Sequence, residues 1–150
     1  MKIALGSDHG GLEFKKQIIM HLESKNIEII DCGTYTEDSC DYPDYALKVA
    51  TDVVEEKCEL GILICGTGIG IGIAANKVPG IRAALCHDTF SAHAAREHNN
   101  ANILTLGARV IGIGLALDIV DTFLSAEFQG ERHQKRIDKI TEIEKKYQNK

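Results

Sequence analysis

With 150 residues, 44% apolar and 26% charged, the chain has the composition of a soluble globular protein and the length to bury one core. Its net charge of −5 offers no basic footprint for nucleic acid or acidic membranes, and no apolar run is long enough to span a bilayer. Five cysteines form an odd set without a CxxC pair, which argues against a disulfide framework or a zinc ribbon and for a reducing, cytoplasmic compartment.

In chain order, apolar runs of strand length alternate with segments of helical period. The start, Met1 to Asp8, is too short and interrupted for a signal peptide and reads as a first strand, Lys2–Gly6. A helix over Leu12–Ser24 follows, with Leu12, Ile18, Ile19 and Leu22 on one face. Then come a strand at Ile27–Cys32, a helix at Tyr45–Lys57, a strand at Leu60–Cys65 and a helix at Ile69–Asn76. Strand Ile81–Cys86, helix Thr89–Glu97, strand Ile103–Leu106 and helix Gly112–Ser125 complete the series. The strands lack in/out alternation, as expected when helices cover both faces. This rhythm predicts an α/β fold, a five-stranded parallel sheet in a three-layer sandwich, as one domain over residues 1–150. The last segment, Glu131–Gln148, is charged and helix-prone, with only Ile137, Ile140 and Ile143 in a sparse apolar stripe. So thin a face suits a helix lying on its own domain or embracing a partner subunit.

In open α/β sheets ligands bind beyond the carboxyl ends of the strands, so the segments that follow the strands are read together. They are Ser7-Asp8-His9-Gly10-Gly11, Cys40-Asp41-Tyr42-Pro43-Asp44 and Cys65-Gly66-Thr67-Gly68-Ile69-Gly70-Ile71-Gly72, with Glu97 to Asn102 before the fifth strand. The glycine-rich run after Cys65 lets backbone N–H groups press against an anion, although a tight strand-to-helix turn uses the same glycines. It lacks the Gly-Lys-Ser/Thr of a P-loop. It lacks the arginine of a cysteine phosphatase, Ile71 and Gly72 standing there instead. A dinucleotide fingerprint fits only loosely, as Gly70-Ile71-Gly72-Ile73-Ala74-Ala75 with Asp88 as its acidic partner.

Cys65 ends an apolar strand before a helix N-terminus, where amides and dipole lower a thiol's pKa from about 8.5. An inert buried thiol is the alternative. Thr67 either caps the next helix or bonds the sulfur, and Asp8 either caps a helix or joins a site. Arg132 and Arg136 share a helix face, with His133 beside them, as a phosphate clamp or a solvated surface. His87, His93 and His98 match no zinc spacing.

Taken together, Gly6-Ser7-Asp8-His9-Gly10-Gly11, Asp41-Tyr42-Pro43, Cys65 to Gly70, the run to Asn76-Lys77, His98-Asn99, Gly107-Ala108-Arg109 and Arg132 to Arg136 resemble the type B ribose-5-phosphate isomerases and the related allose- and galactose-6-phosphate isomerases. The resemblance covers essentially the whole chain. It implies a Rossmann-like sandwich, an aldose–ketose isomerisation through an enediolate, and no metal or redox cofactor. By the same resemblance Cys65 is the base, His98 the ring-opening acid and Thr67 a further catalytic residue. Asp8, His9, Tyr42, Gly66, Thr67, Gly68, Ile69, Gly70, Asn99, Arg109, Arg132 and Arg136 then bind the phosphorylated sugar. A homodimer or homotetramer with a site shared between subunits is also implied. Rival readings are a six-carbon sugar-phosphate isomerase, a non-catalytic sugar-phosphate-binding subunit and an NAD-dependent oxidoreductase.

Overall fold

The computed structural model of the chain describes residues 1–148. Five parallel strands, β1 (Lys2–Ser7), β2 (Glu28–Asp31), β3 (Leu60–Cys65), β4 (Ala83–Leu85) and β5 (Ile103–Gly107), form one sheet in the order β2-β1-β3-β5-β4. The helices are α1 (Leu12–Glu23), α2 (Tyr42–Val54), α3 (Ile69–Ala75), α4 (Thr89–Glu97), α5 (Ile113–Ser125) and α6 (Arg132–Gln148). A parallel pair can be joined only by a crossover, which is why a helix separates each strand from the next.

Both faces of the sheet are apolar, and successive strand residues feed different cores. Ile3, Leu5, Ile62, Ile64, Leu104 and Leu106 pack with Ile18 and Leu22 of α1, Ala92 and Ala95 of α4, and Ile119, Val120 and Phe123 of α5. Ala4, Leu63, Cys65 and Ile103 pack on the other side, with Val49 and Val53 of α2 and Ile71 and Ala75 of α3. The absence of in/out alternation in the sequence thus has its cause in two buried faces. The three-layer α/β architecture expected from the sequence is present.

Boundaries moved where tertiary contacts outweigh local pattern. α2 begins at Tyr42, three residues before the expected start, because Pro43 falls in its first turn, where a missing N–H costs nothing. β4 keeps only Ala83–Leu85 of the run Ile81–Cys86, since Asn102 and Asn76 side chains cap the amides of Arg82 and Ala83.

The order β2-β1-β3 means that the chain leaves β1 in one direction and returns past it to β3. The crevice between the ends of β1 and β3 is the topological switch point, where such sheets bind ligands. α6 stands apart from this packing: it buries only His133 and Ile137, and leaves Ile140 and Ile143 exposed. Among the described residues no helix is long and apolar enough to cross a membrane.

Candidate functional site

At the carboxyl edge, β1 and β3 end side by side, with Ser7 opposite Ile64. Asp8 is buried, and its Oδ1 accepts the Gly11 N–H at 3.1 Å, capping a single 3-10 turn over His9–Gly11. The Nδ1 of His9 accepts the Cys40 N–H at 3.2 Å, which leaves Nε2 as the N–H-bearing nitrogen of the neutral ring. Cys65 ends β3 with 4% exposure, and its Sγ accepts the Gly68 N–H at 3.1 Å. The Thr67 hydroxyl accepts the Ile69 N–H at 3.2 Å, a local turn contact just ahead of the Gly68 N-cap, and does not bond the sulfur.

Two glycines of this loop are required by its geometry. Gly68 has φ +75°, and a Cβ there would come within 2.8 Å of the Leu106 carbonyl carbon. A Cβ on Gly70 would lie 2.6 Å from Cζ of Tyr42, so the missing side chain is what admits the tyrosine to the loop. Arg109 follows β5 and donates its backbone N–H to the Gly66 carbonyl at 3.0 Å. Its guanidinium lies over Gly66 and Gly10: built Cβ positions there are 3.3 Å from Nη1 and 3.6 Å from Nη2. Asp8, His9, Tyr42, Cys65, Gly66, Thr67, Gly68, Ile69, Gly70 and Arg109 therefore surround one crevice, bounded by an acid, an imidazole, a thiol, a guanidinium and backbone amides.

The remaining expected residues lie elsewhere. α4 carries the chain from the carboxyl end of β4 back to the start of β5, so His98 and Asn99, just beyond its last residue, sit at the amino edge. Bonds from Arg82 Nε to the Asn99 carbonyl, just before β4, and from the Gly61 N–H to the Asn102 carbonyl mark that edge. β3 has six residues, so Cys65 and His98 are separated by the depth of the sheet, roughly 20 Å. The ring of His98 stacks on His133, centroids 4.5 Å apart and planes at 10°. Burial first, then His98 and the flanking Arg132 and Arg136, hold the His133 imidazole below the usual 6.5. His98, Asn99, Arg132 and Arg136 thus form a second, basic cluster. The segment Glu97 to Asn102, expected beside those that follow the strands, therefore lies at the opposite edge of the sheet, because α4 runs back along it.

Among the described residues no three His, Cys, Asp or Glu side chains converge as a metal site. All five thiols are free. Burial pushes Cys32 up to about 12, with Asp52 adding to it, and pushes Cys86 up to about 11. Burial also raises Cys58. These three are poor candidates for a reactive thiol. Sequence reasoning missed the Cys40–His9 contact, the seat of Tyr42 on Gly70, and Glu97, whose carboxylate pairs with His93 at 2.8 Å and lies 3.7 Å from His98 Nε2. Only the adjacency of Glu97 to His98 was visible as a signal.

The ribose/galactose isomerase family pattern matches residues 3–140. Ribose-5-phosphate isomerase B of Escherichia coli is 49% identical, covering 97% of this chain and 97% of its own. Among solved structures, ribose-5-phosphate isomerase B of Clostridium thermocellum superposes with a TM-score of 0.97 at 60% identity, covering 98% of this chain and 99% of its own. The Mycoplasma genitalium enzyme, solved with bound ribulose 5-phosphate, gives 0.93 at 48% identity, covering 96% of each chain. The crevice at the switch point belongs to a fold and a sequence shared along the whole length with these enzymes, and the chain is a sugar-phosphate isomerase of the ribose/galactose isomerase family.

Proposed function

We propose that the chain interconverts ribose 5-phosphate and ribulose 5-phosphate in the cytoplasm, with Cys65 as base and His98 as ring-opening acid, as a single domain needing no metal or redox cofactor. The observation that carries this reading is the Cys65 thiol, which ends the central strand and accepts a loop N–H within the switch-point crevice. Moving a proton between adjacent carbons needs one base, shielding from water, and donors aimed at the developing oxyanion. In the open aldose, Cys65 as thiolate takes the proton from C2. The C–H electron pair becomes the C1–C2 double bond, and the carbonyl pair moves onto the C1 oxygen as an enediolate. The proton returns to C1, the C2 hydroxyl proton passes to the C1 oxygen, and the ketone forms at C2. The Gly66, Thr67 and Gly70 amides and the Thr67 hydroxyl serve the enediolate oxygens, while the Gly68 and Ile69 amides hold Cys65 Sγ and Thr67 Oγ1 in place. Asp8, His9, Tyr42 and Arg109 hold the sugar and phosphate.

Ring opening must come first, and in one chain His98 stands a sheet's depth from Cys65. The arrangement supports a homodimer or homotetramer in which a second copy brings His98, Asn99, Arg132 and Arg136 to the crevice. Two surfaces fit such a copy. Ile69, Ile73, Leu85 and Phe90 lie exposed on the elements that follow or end strands β3 and β4, and α6 keeps Ile140 and Ile143 uncovered.

Steady-state turnover of ribose 5-phosphate, allose 6-phosphate and galactose 6-phosphate, run in deuterated water, tests the assignment. Ribose 5-phosphate should be the preferred substrate and exchange its C2 proton with solvent. Preference for a six-carbon sugar would move the substrate, and turnover of none would refute the catalytic reading.

A further inference from the structure

His98 is poorly held by its own helix. Its backbone N–H bonds the Ala94 carbonyl at 2.8 Å, which fixes the main chain, but its side chain is 42% exposed at the helix exit. The Glu97 carboxylate lies 3.7 Å from Nε2, too far to direct the ring by a hydrogen bond. What remains is the flat stack on His133. His133 is 6% exposed, and its Nε2 has no hydrogen-bond partner among the described residues. Buried polar atoms are normally paired, so an imidazole sealed in this way calls for a reason beyond packing.

We propose that His133 is the positioning residue of His98, fixing by its stack the plane in which the ring-opening acid meets the sugar. The inference rests on the ring-opening role proposed above for His98. His133 is itself anchored: its N–H bonds the Gly130 carbonyl at 3.0 Å, and the Gln129 N–H bonds the Glu97 carbonyl at 3.1 Å, tying the approach to α6 onto the end of α4. The groups facing it are His98 and Glu97 of the α4 exit and Arg132 and Arg136 of α6. Burial, His98 and both arginines disfavour a charge on His133, so the ring that faces His98 in the stack is held toward its neutral form.

The test compares His133→Ala, His133→Phe and His98→Asn on ribose 5-phosphate and on its 4-deoxy analogue, which lacks the hydroxyl that closes the furanose. His133→Ala should lose about tenfold or more in kcat on ribose 5-phosphate and stay within about threefold of the parent on the analogue, a loss typical of a misplaced catalytic group. His133→Phe restores a flat ring and should recover most of that loss. Ribose 5-phosphate turnover by His133→Ala within about twofold of the parent, while His98→Asn is slowed only on the cyclic substrate, overturns the stack's role and leaves ring opening by His98 standing. If His98→Asn is slowed equally on both substrates, the ring-opening reading falls and the inference falls with it. A readout independent of folding in the variants is ring-nitrogen NMR of the parent. The His98 and His133 ring signals should carry the mutual ring-current shifts of two stacked rings, and their absence would overturn the pairing.

Discussion

At the carboxyl edge of the sheet the polar side chains are tied to their own backbone: Asp8 to Gly11, His9 to Cys40, Cys65 to Gly68 and Thr67 to Ile69. At the amino edge the comparable residues lean on one another: His98 lies on His133, while Arg132 and Arg136 stay exposed on a helix that buries two side chains. The first edge is built in advance, since each contact closes within a few residues or across neighbouring strands. The second presents charge outward. A reaction that develops an oxyanion benefits from the first, where donors do not reorganise. A surface awaiting a second copy resembles the second.

The largest effect separating the edges should come from Cys65. Replacing it by Ala removes the proposed base and leaves Arg109, His9 and the loop amides in place. General-base catalysis contributes about 10²–10⁴-fold, so turnover and C2 proton exchange should fall at least a hundredfold while substrate still binds. Binding is read by calorimetry on the variant. Turnover within a few-fold of the parent would move the base to a carboxylate, with Asp8 the nearest choice.

The division between edges predicts complementation. Arg136→Ala alone should raise KM by well over tenfold, because loss of a desolvated charge partner costs about 2–5 kcal/mol. Mixed with Cys65→Ala protein, it should regain activity. In a two-fold symmetric pair of mixed subunits one site carries both changes and the other carries none, so random exchange returns about a quarter of the parent rate. Verified subunit exchange without recovery would mean that no site is shared.

Much of this was legible in the sequence, for physical reasons that differ by element. β1, β3 and β5 are apolar on both faces and stood out as continuous runs, and the glycine-rich run after Cys65 marked a loop where Gly68 and Gly70 leave no room for a side chain. Even the separation of His98 from Cys65 was implicit, because a helix joining parallel strands must end at the amino edge. Strand order was not legible, since it depends on which crossovers pack against which face. Lys15 was not legible either. A lysine beside Lys16 on an amphipathic helix reads as solvated, yet it is 1% exposed, paired with Asp31 and 4.9 Å from the centroid of the Tyr35 ring.

That ion pair offers a smaller test, of whether the carboxyl edge is braced by its own chain. Asp31 accepts from Lys15 and from the Gly33 N–H, and the Gly33 carbonyl in turn accepts the Ser7 N–H at the end of β1. Asp31→Ala leaves a buried ammonium unpaired. Breaking a buried pair costs about 3–5 kcal/mol, and the 36% exposure of Asp31 argues for the low end, about 3 kcal/mol. For a chain of this size the melting temperature should fall by about 6–12 °C, and equally at low and high protein concentration. Lys15→Met, which removes the charge that needs pairing, should cost about 1 kcal/mol or less. If Asp31→Ala melts with the parent, or its loss varies with concentration, the brace belongs to the assembly and the contrast between edges weakens.

The smallest expected effect is a pH dependence confined to the amino edge. His133 is held below its usual 6.5 by burial first, then by His98, Arg132 and Arg136. Below about pH 6.5 the unfolded chain therefore takes up a proton that the folded chain refuses. Stability rises with pH wherever the unfolded state binds more protons, so this group leaves stability untouched above that range and erodes it as pH falls through it. Asp88 and Asp121 also lose stability on acidification, but their folded values are depressed from 3.8, and their contribution fades only at lower pH. Comparing urea midpoints of the parent and His133→Phe between pH 7.5 and 5.5 isolates the imidazole. The parent should lose stability toward pH 5.5 and the variant should lose less. Parallel curves would show that His133 does not resist protonation in the folded chain.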